Sequence, residues 1–211
     1  MIPADVILLF VTASVALALA FAPGPDNIFV LTQSALHGRK TGLLVTLGLC
    51  TGLLVHTAAV SLGVAAIFQA SLLAFSLLKL AGVLYLLYLA AQAFRASKAA
   101  LEADGSEALS WRGLYTRGII MNITNPKVAI FFLAFLPQFT DPARGSITVQ
   151  MLFLGGLFIV STLIVFAAVA WFAGYIGEWL QRSAGAQVVM NRIAGMVFVV
   201  LALRLAVSER Q

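Results

Sequence analysis

The sequence predicts an all-α polytopic membrane protein, a single transmembrane domain over residues 1–211 with about six spanning helices in two inverted three-helix repeats. The first and fourth helices are expected to break near the membrane midplane. Three observations lead there. Apolar residues make up 62% of the chain and charged residues only 10%, against roughly 45–50% and about 25% in ordinary soluble domains. The apolar residues fall into six runs, each long enough for a hydrocarbon core that takes about 20 residues of helix. Two of those runs carry matching polar interruptions half a chain apart.

The first run, 6–36, spans about 31 residues, or ~46 Å of straight helix, more than the ~30 Å core requires. Its stretch "ALALAFA" looks like a signal-peptide cleavage region. The residues before it hold Asp5 and no Lys or Arg, and the apolar run continues past the site, so it is read as span one. In "FAPGPDNIFV" (21–30), Pro23 and Pro25 each lack an N–H, and Gly24 between them permits unusual dihedrals. A new half-helix is expected to begin at Pro25, with Asp26 and Asn27 in its first turn near the exposed N–H groups.

Span two, 42–68, carries Gly48, Gly52 and His56 at four-residue spacing on one face, which lets another helix approach closely. Span three is 72–94. The polar stretch 95–113 is the longest connection and the midpoint of the chain. Span four, 113–139, repeats the break in "NITNPK", with Asn125 as cap, Pro126 at the first helical position and Lys127 after it. Its Phe131, Phe132, Phe135 and Phe139 recur at helical spacing, which reads as packing or lipid contact ahead of a binding box. Spans five and six are 147–174 and 188–207.

The two halves align in order. "PGPDNIFVL" (23–31) matches "TNPKVAIFF" (124–132), "GLCTGLL" (48–54) matches "LFLGGLF" (152–158), and "KLAG" (79–82) matches "RIAG" (192–195). Asp26 thereby pairs with Lys127, Gly52 with Gly156 and Gly82 with Gly195; these glycines and Gly48 are the helix-packing candidates. An odd number of spans per half inverts the second repeat, giving 1–97 and 111–211 joined by a cytoplasmic loop, 98–110. Chance similarity among apolar segments is the competing explanation of any single match.

Of the 13 basic residues, eight (Arg39, Lys40, Arg95, Lys98, Arg112, Arg117, Arg182, Arg192) belong to the connections after spans one, three and five. Lys79, Arg144, Arg204 and Arg210 face the other way. The larger group belongs inside, which puts both termini in the periplasm. The formal charge of +5 is explained by this anchoring without nucleic acid as a partner.

Ionisable groups inside a membrane are functional candidates by default, at about 2.5–3.5 kcal/mol or more each. Asp26 and Lys127 could face one another across a single cavity, closing as an ion pair when empty and holding the ammonium and carboxylate of a zwitterion when loaded. The plainer alternatives are that Asp26 caps a helix and Lys127 snorkels to a headgroup. Gly24, Pro25, Asn27, Gln33, Asn122, Asn125 and Pro126 complete the candidate binding set, and Gln138 is a further polar group near the break. Asp26 and His56 are the candidates for coupling to protons, although a histidine bonded to a neighbouring carbonyl is an equally good reading of His56.

Together, residues 23–52, 79–95 and "NITNPKVAIFFLAFLPQF" (122–139) resemble the LysE/RhtB family of bacterial amino-acid exporters over nearly the whole chain. The resemblance implies proton-driven efflux of amino acids or derivatives such as homoserine or its lactones across the inner membrane. It places Pro23, Gly24, Pro25, Asn125, Pro126 and Lys127 at the family's motif positions, whereas Asp26 stands where members vary. No cofactor is implied. A single cysteine, Cys50, argues against the thiol-disulfide carriers of the wider superfamily, and the scarcity of His and acidic membrane residues against its metal exporters. An enzyme would need a nucleophile and base, for which His56 with Thr57 or Ser61 is the one arrangement on offer. A non-transporting scaffold would leave the mirrored breaks with opposite charges unexplained. The glycine faces could join the repeats or the protomers of a homodimer.

Overall fold

The computed structural model describes residues 24–70, 72–95, 110–173, 175 and 184–207, and among these no residue is in a strand. The first half of span one with Pro23, and the inter-repeat loop up to residue 109, lie outside the described residues. The α-helices are α1 (Pro25–His37), α2 (Arg39–Ala70), α3 (Leu72–Arg95), α4 (Trp111–Thr124), α5 (Pro126–Ile130), α6 (Ile147–Trp171) and α7 (Ala184–Val207). Between α5 and α6 run a π turn, Phe131–Phe135, and short 3-10 turns at Leu136–Phe139 and Pro142–Arg144.

Among the described residues, α2 over Arg39–Gly63 and α6 over Ile147–Trp171 are long and apolar enough to cross a membrane. The segments Trp111–Thr124 and Pro126–Phe139 meet that standard together, bent by 49° at a break. The break falls at Asn125, where the sequence places it: Pro126 has no N–H to extend the α4 ladder and disfavours helical dihedrals at the residue before it. Asn125 accordingly adopts an extended conformation, φ −73° and ψ 107°. Pro137 removes a second N–H near the change from π to 3-10 geometry.

Side chains are distributed as lipid solvation demands. On α6 the exposed positions include Leu152, Phe153, Val160 and Ile164, whereas Asp26, Gln33, Asn122, Asn125 and Lys127 are buried. Two apolar clusters hold the helices. Val30, Val45, Leu49, Leu114, Val165 and Phe166 join α1, α2, α4 and α6. The second cluster centres on Phe131, Phe132, Phe135 and Phe158 with residues of α3 and α7. Phe131 stacks on Phe135 at 5.1 Å and meets Phe158 at 5.1 Å. The phenylalanine stripe of span four is thus packing, with Phe139 partly buried at its edge.

Close helix crossings occur at glycines. A methyl group at Gly48 would collide with the Tyr115 carbonyl and approach Gly118, so α2 and α4 cross backbone on backbone. One turn on, a methyl at Gly52 would meet the Asn122 side chain at 2.7 Å. Gly82 faces Ala134 and Leu205, and Gly195 faces the Phe94 ring. At the fifth span the crossing lies one residue before the expected Gly156: Gly155 is buried against Thr57, whereas a methyl at Gly156 would meet nothing within 4 Å. One residue turns a helix face by about 100°, enough to exchange contact for open space. Gly48→Val is therefore expected to lower the melting temperature in detergent sharply, by the ~1–3 kcal/mol of an overpacked contact, while Gly156→Ala leaves it level or raised. Thermal unfolding of the two purified variants checks the contrast.

Gly38 makes the tight turn from α1 to α2, with φ 89° and its N–H donating to the Ser34 carbonyl at 3.0 Å. This reversal lays α1 back along α2 and brings its first turn to the level of α5.

Candidate functional site

Two helices start at a proline and carry a charged residue in the first turn. Pro25 is the first residue of α1, and Gly24 before it is extended and offers no side-chain cap. Asp26 is 3% exposed, and its Oδ1 has no hydrogen-bond partner among the described residues. The cap of α5 is Asn125, whose Oδ1 accepts from the Lys127 N–H at 3.0 Å. Lys127 itself is 8% exposed, so its ammonium is held within the protein and does not snorkel to the surface. Asn125→Ala is expected to cost about 1 kcal/mol of thermal stability through the lost cap, and Asn125→Asp to restore most of it. Melting curves of both variants measure this.

The two charges meet in one place. Asp26, Asn27, Asn122, Lys127, Thr162 and Phe166 line a cavity of about 20 Å³, with Leu53, Val128 and Phe158 completing the wall. That volume admits about one water molecule. The Asp26 carboxylate interacts electrostatically with Lys127 and His56, and the amide side chains of Asn122 and Asn125 lie beside it. Asn122 Oδ1, Asn125 Nδ2 and Thr162 Oγ1 are also buried without a hydrogen-bond partner among the described residues. Buried polar atoms of this kind ordinarily find partners, so their concentration around one small space marks it as unusual.

His56 Nε2 sits 3.1 Å from the Asn122 carbonyl oxygen, which also accepts from the Asn125 N–H at 3.1 Å, and donates to it as the Nε2–H form. Its ring also lies 5.7 Å from Phe132. The hydroxyls that would pair with it in an enzyme turn elsewhere: Thr57 donates to the Leu53 carbonyl at 2.8 Å and Ser61 to the Thr57 carbonyl at 2.5 Å. Gly24, Pro25, Gln33, Asn125, Pro126 and His56 shape the neighbourhood but do not line the cavity. Gln33 is buried further along α1, and Gln138 donates to the Ala134 carbonyl at 3.3 Å. Phe158, Thr162 and Phe166 are cavity residues that the sequence reading passes over. Their four-residue spacing on span five was the available signal, a lone hydroxyl between two aromatic rings.

No group of three or more His, Cys, Asp or Glu side chains suited to a metal occurs among the described residues. Cys50 is buried, 4.0 Å from the Ile159 carbonyl.

The family model for LysE type translocators matches residues 17–209. The homoserine/homoserine lactone efflux protein of Salmonella typhimurium is 34% identical over 188 residues, covering 89% of this chain and 90% of that protein. A leucine efflux protein of an Enterobacter species is 27% identical over 191 residues, covering 89% and 90% of the two chains. An uncharacterized membrane protein of Vibrio cholerae is 30% identical over 194 residues, covering 92% and 94%. No solved structure matches the chain.

Proposed function

Because the chain belongs to the LysE type translocators, a family of multi-pass membrane transport proteins, we propose that it exports a neutral amino acid or close derivative of the homoserine class, driven by the proton gradient. The observation that carries this reading is the shared cavity: an aspartate and a lysine, each in the first turn of a helix started by proline, line one buried space. Asp26 takes the substrate ammonium. Lys127 takes the carboxylate of an amino acid or the carbonyl oxygen of a lactone, and the N–H groups at the start of α5 add to its pull. With no substrate the two charges compensate one another. In this reading the helices part toward one side or the other around a fixed site.

Helix pairing supports the six-span inverted arrangement. In such a repeat, spans two and five, and spans three and six, are equivalent to one another and meet across the pseudo-twofold axis. Helix α2 packs on α6, and α3 on α7. Arg39, at the start of α2, stacks over Trp171 at the end of α6, 4.3 Å from the ring centroid. Both belong at the cytoplasmic interface if the termini are periplasmic, and an Arg–Trp pair suits a headgroup level. In this scheme the membrane is the bacterial inner membrane, and Asp26, with His56 nearby, carries the coupling proton.

The test is efflux from proteoliposomes preloaded with a mixed pool of labelled amino acids, with a proton gradient imposed and then collapsed. Gradient-dependent loss of homoserine or a few related neutral species is expected. If the inserted protein releases none of them faster than protein-free vesicles do, the exporter reading fails.

A further inference from the structure

Most buried hydroxyls on these helices are satisfied within their own turn. Ser34 donates to the Val30 carbonyl at 2.6 Å, Thr46 to Gly42 at 2.8 Å and Thr57 to Leu53 at 2.8 Å. This back-bonding is the ordinary fate of a hydroxyl in a membrane helix, because no water is present to take its place. Thr162 departs from it. It is 4% exposed and sits mid-helix on α6, where the Phe158 carbonyl is the i−4 acceptor, yet Oγ1 has no hydrogen-bond partner among the described residues. It lines the cavity between Phe158 and Phe166, one turn to either side.

Both rings are held in place. Phe158 packs against Phe131 at 5.1 Å and Phe132 at 5.2 Å, and Phe166 belongs to the cluster joining α1, α2 and α6. The α6 wall is therefore a fixed apolar surface with a single hydrogen-bonding atom in its middle, across the cavity from the helix starts that carry Asp26 and Lys127. A zwitterion anchored by its two charged ends would rest its side chain on that wall.

Resting on the exporter reading, we propose that Thr162 is the specificity-determining residue of the site, its hydroxyl donating to an oxygen carried on the γ carbon of the substrate side chain. The substrate class is a short amino acid bearing that oxygen, as a hydroxyl or as the ring oxygen of a lactone. Aliphatic side chains of equal size fit the same wall but leave Oγ1 unsatisfied. A site built around such a bond rejects the analogue lacking it more strongly than a purely apolar pocket separates two side chains of similar size.

The experiment compares efflux of labelled homoserine with that of norvaline, in which a methyl group replaces the hydroxyl. Both are measured in proteoliposomes holding wild-type protein, Thr162→Val and Thr162→Ser. Valine keeps the shape of threonine without its hydroxyl, and serine keeps the hydroxyl. The wild type is expected to favour homoserine, Thr162→Val to lose about tenfold or more of that ratio, and Thr162→Ser to keep it within about threefold. An unchanged ratio in Thr162→Val, with norvaline efflux showing the carrier to be active, overturns the assignment and leaves the exporter reading standing. If Thr162→Val moves neither compound, Thr162→Ala is measured in its place, and a ratio equal to wild type there overturns the assignment equally. Should wild-type protein export neither compound, the exporter reading itself fails and the assignment falls with it.

Discussion

Replacing Lys127 by methionine is expected to reduce homoserine export by at least about a hundredfold in protein that still inserts. Methionine fills nearly the same length of space in a wall already lined by Leu53, Val128 and Phe158, so the packing around α5 has little reason to change. The loss is electrostatic. Asp26 is left as a buried charge without its counterpart, and the substrate carboxyl loses its cation; truncating one partner of a buried charged pair commonly costs about 2–5 kcal/mol. Lys127→Arg separates charge from geometry. Its rigid planar fork does not fit where a compact ammonium sits, so it is expected to restore part of the stability and little of the transport. Initial efflux rates per inserted protein, read beside melting temperatures, check both halves of this expectation.

Asp26→Asn is expected to remove gradient-driven export to a similar degree, for a different reason. The amide is the same size and still accepts a hydrogen bond, but it carries no charge for the substrate ammonium and no proton to exchange with either side. Lys127 then becomes the unbalanced buried charge. The double variant Asp26→Asn/Lys127→Met removes both charges together, and it should be more stable than the sum of the two single losses predicts while remaining inactive. A coupling energy of this sign, in the range of about 0.5–3 kcal/mol for interacting neighbours, would be read from the four melting curves of the cycle.

The parts of the site that were legible in the sequence are those written in backbone chemistry. Pro25 and Pro126 begin helices because proline has no N–H to spend in a helix interior, and Asn125 caps because its short amide reaches an N–H two residues on. Those constraints are local, so a few adjacent residues carry them. What depends on helix rotation or on a distant partner was harder to read. The small face of α2 at Gly48 and Gly52 could be found from spacing, but not that Gly118 and Asn122 of α4 would be what meets it. The crossing at Gly155 was placed one residue late because two adjacent glycines give helical periodicity nothing to choose between. Thr162 was passed over for a related reason: a single hydroxyl in an apolar span usually bonds its own backbone, and only the packed structure shows that this one does not.

The histidine gives a mixed result. Its place on the glycine face was readable, and the structure turns its Nε2 to the Asn122 carbonyl, the plainer of the two roles anticipated. The same bond ties α2 to α4 at the residue three positions before the break. His56 is not part of the cavity wall.

The central claim is that the cavity grips both ends of an amino acid, and competition by analogues missing one end tests it most directly. Labelled homoserine efflux would be measured from proteoliposomes also loaded with unlabelled homoserine, with 4-hydroxybutyrate, which lacks the ammonium, or with 3-aminopropan-1-ol, which lacks the carboxylate. The account predicts strong inhibition by homoserine and at least about a hundredfold weaker inhibition by either single-ended analogue, each of which leaves one of the two buried charges unmatched. Inhibition by either analogue as strong as by homoserine itself would contradict it.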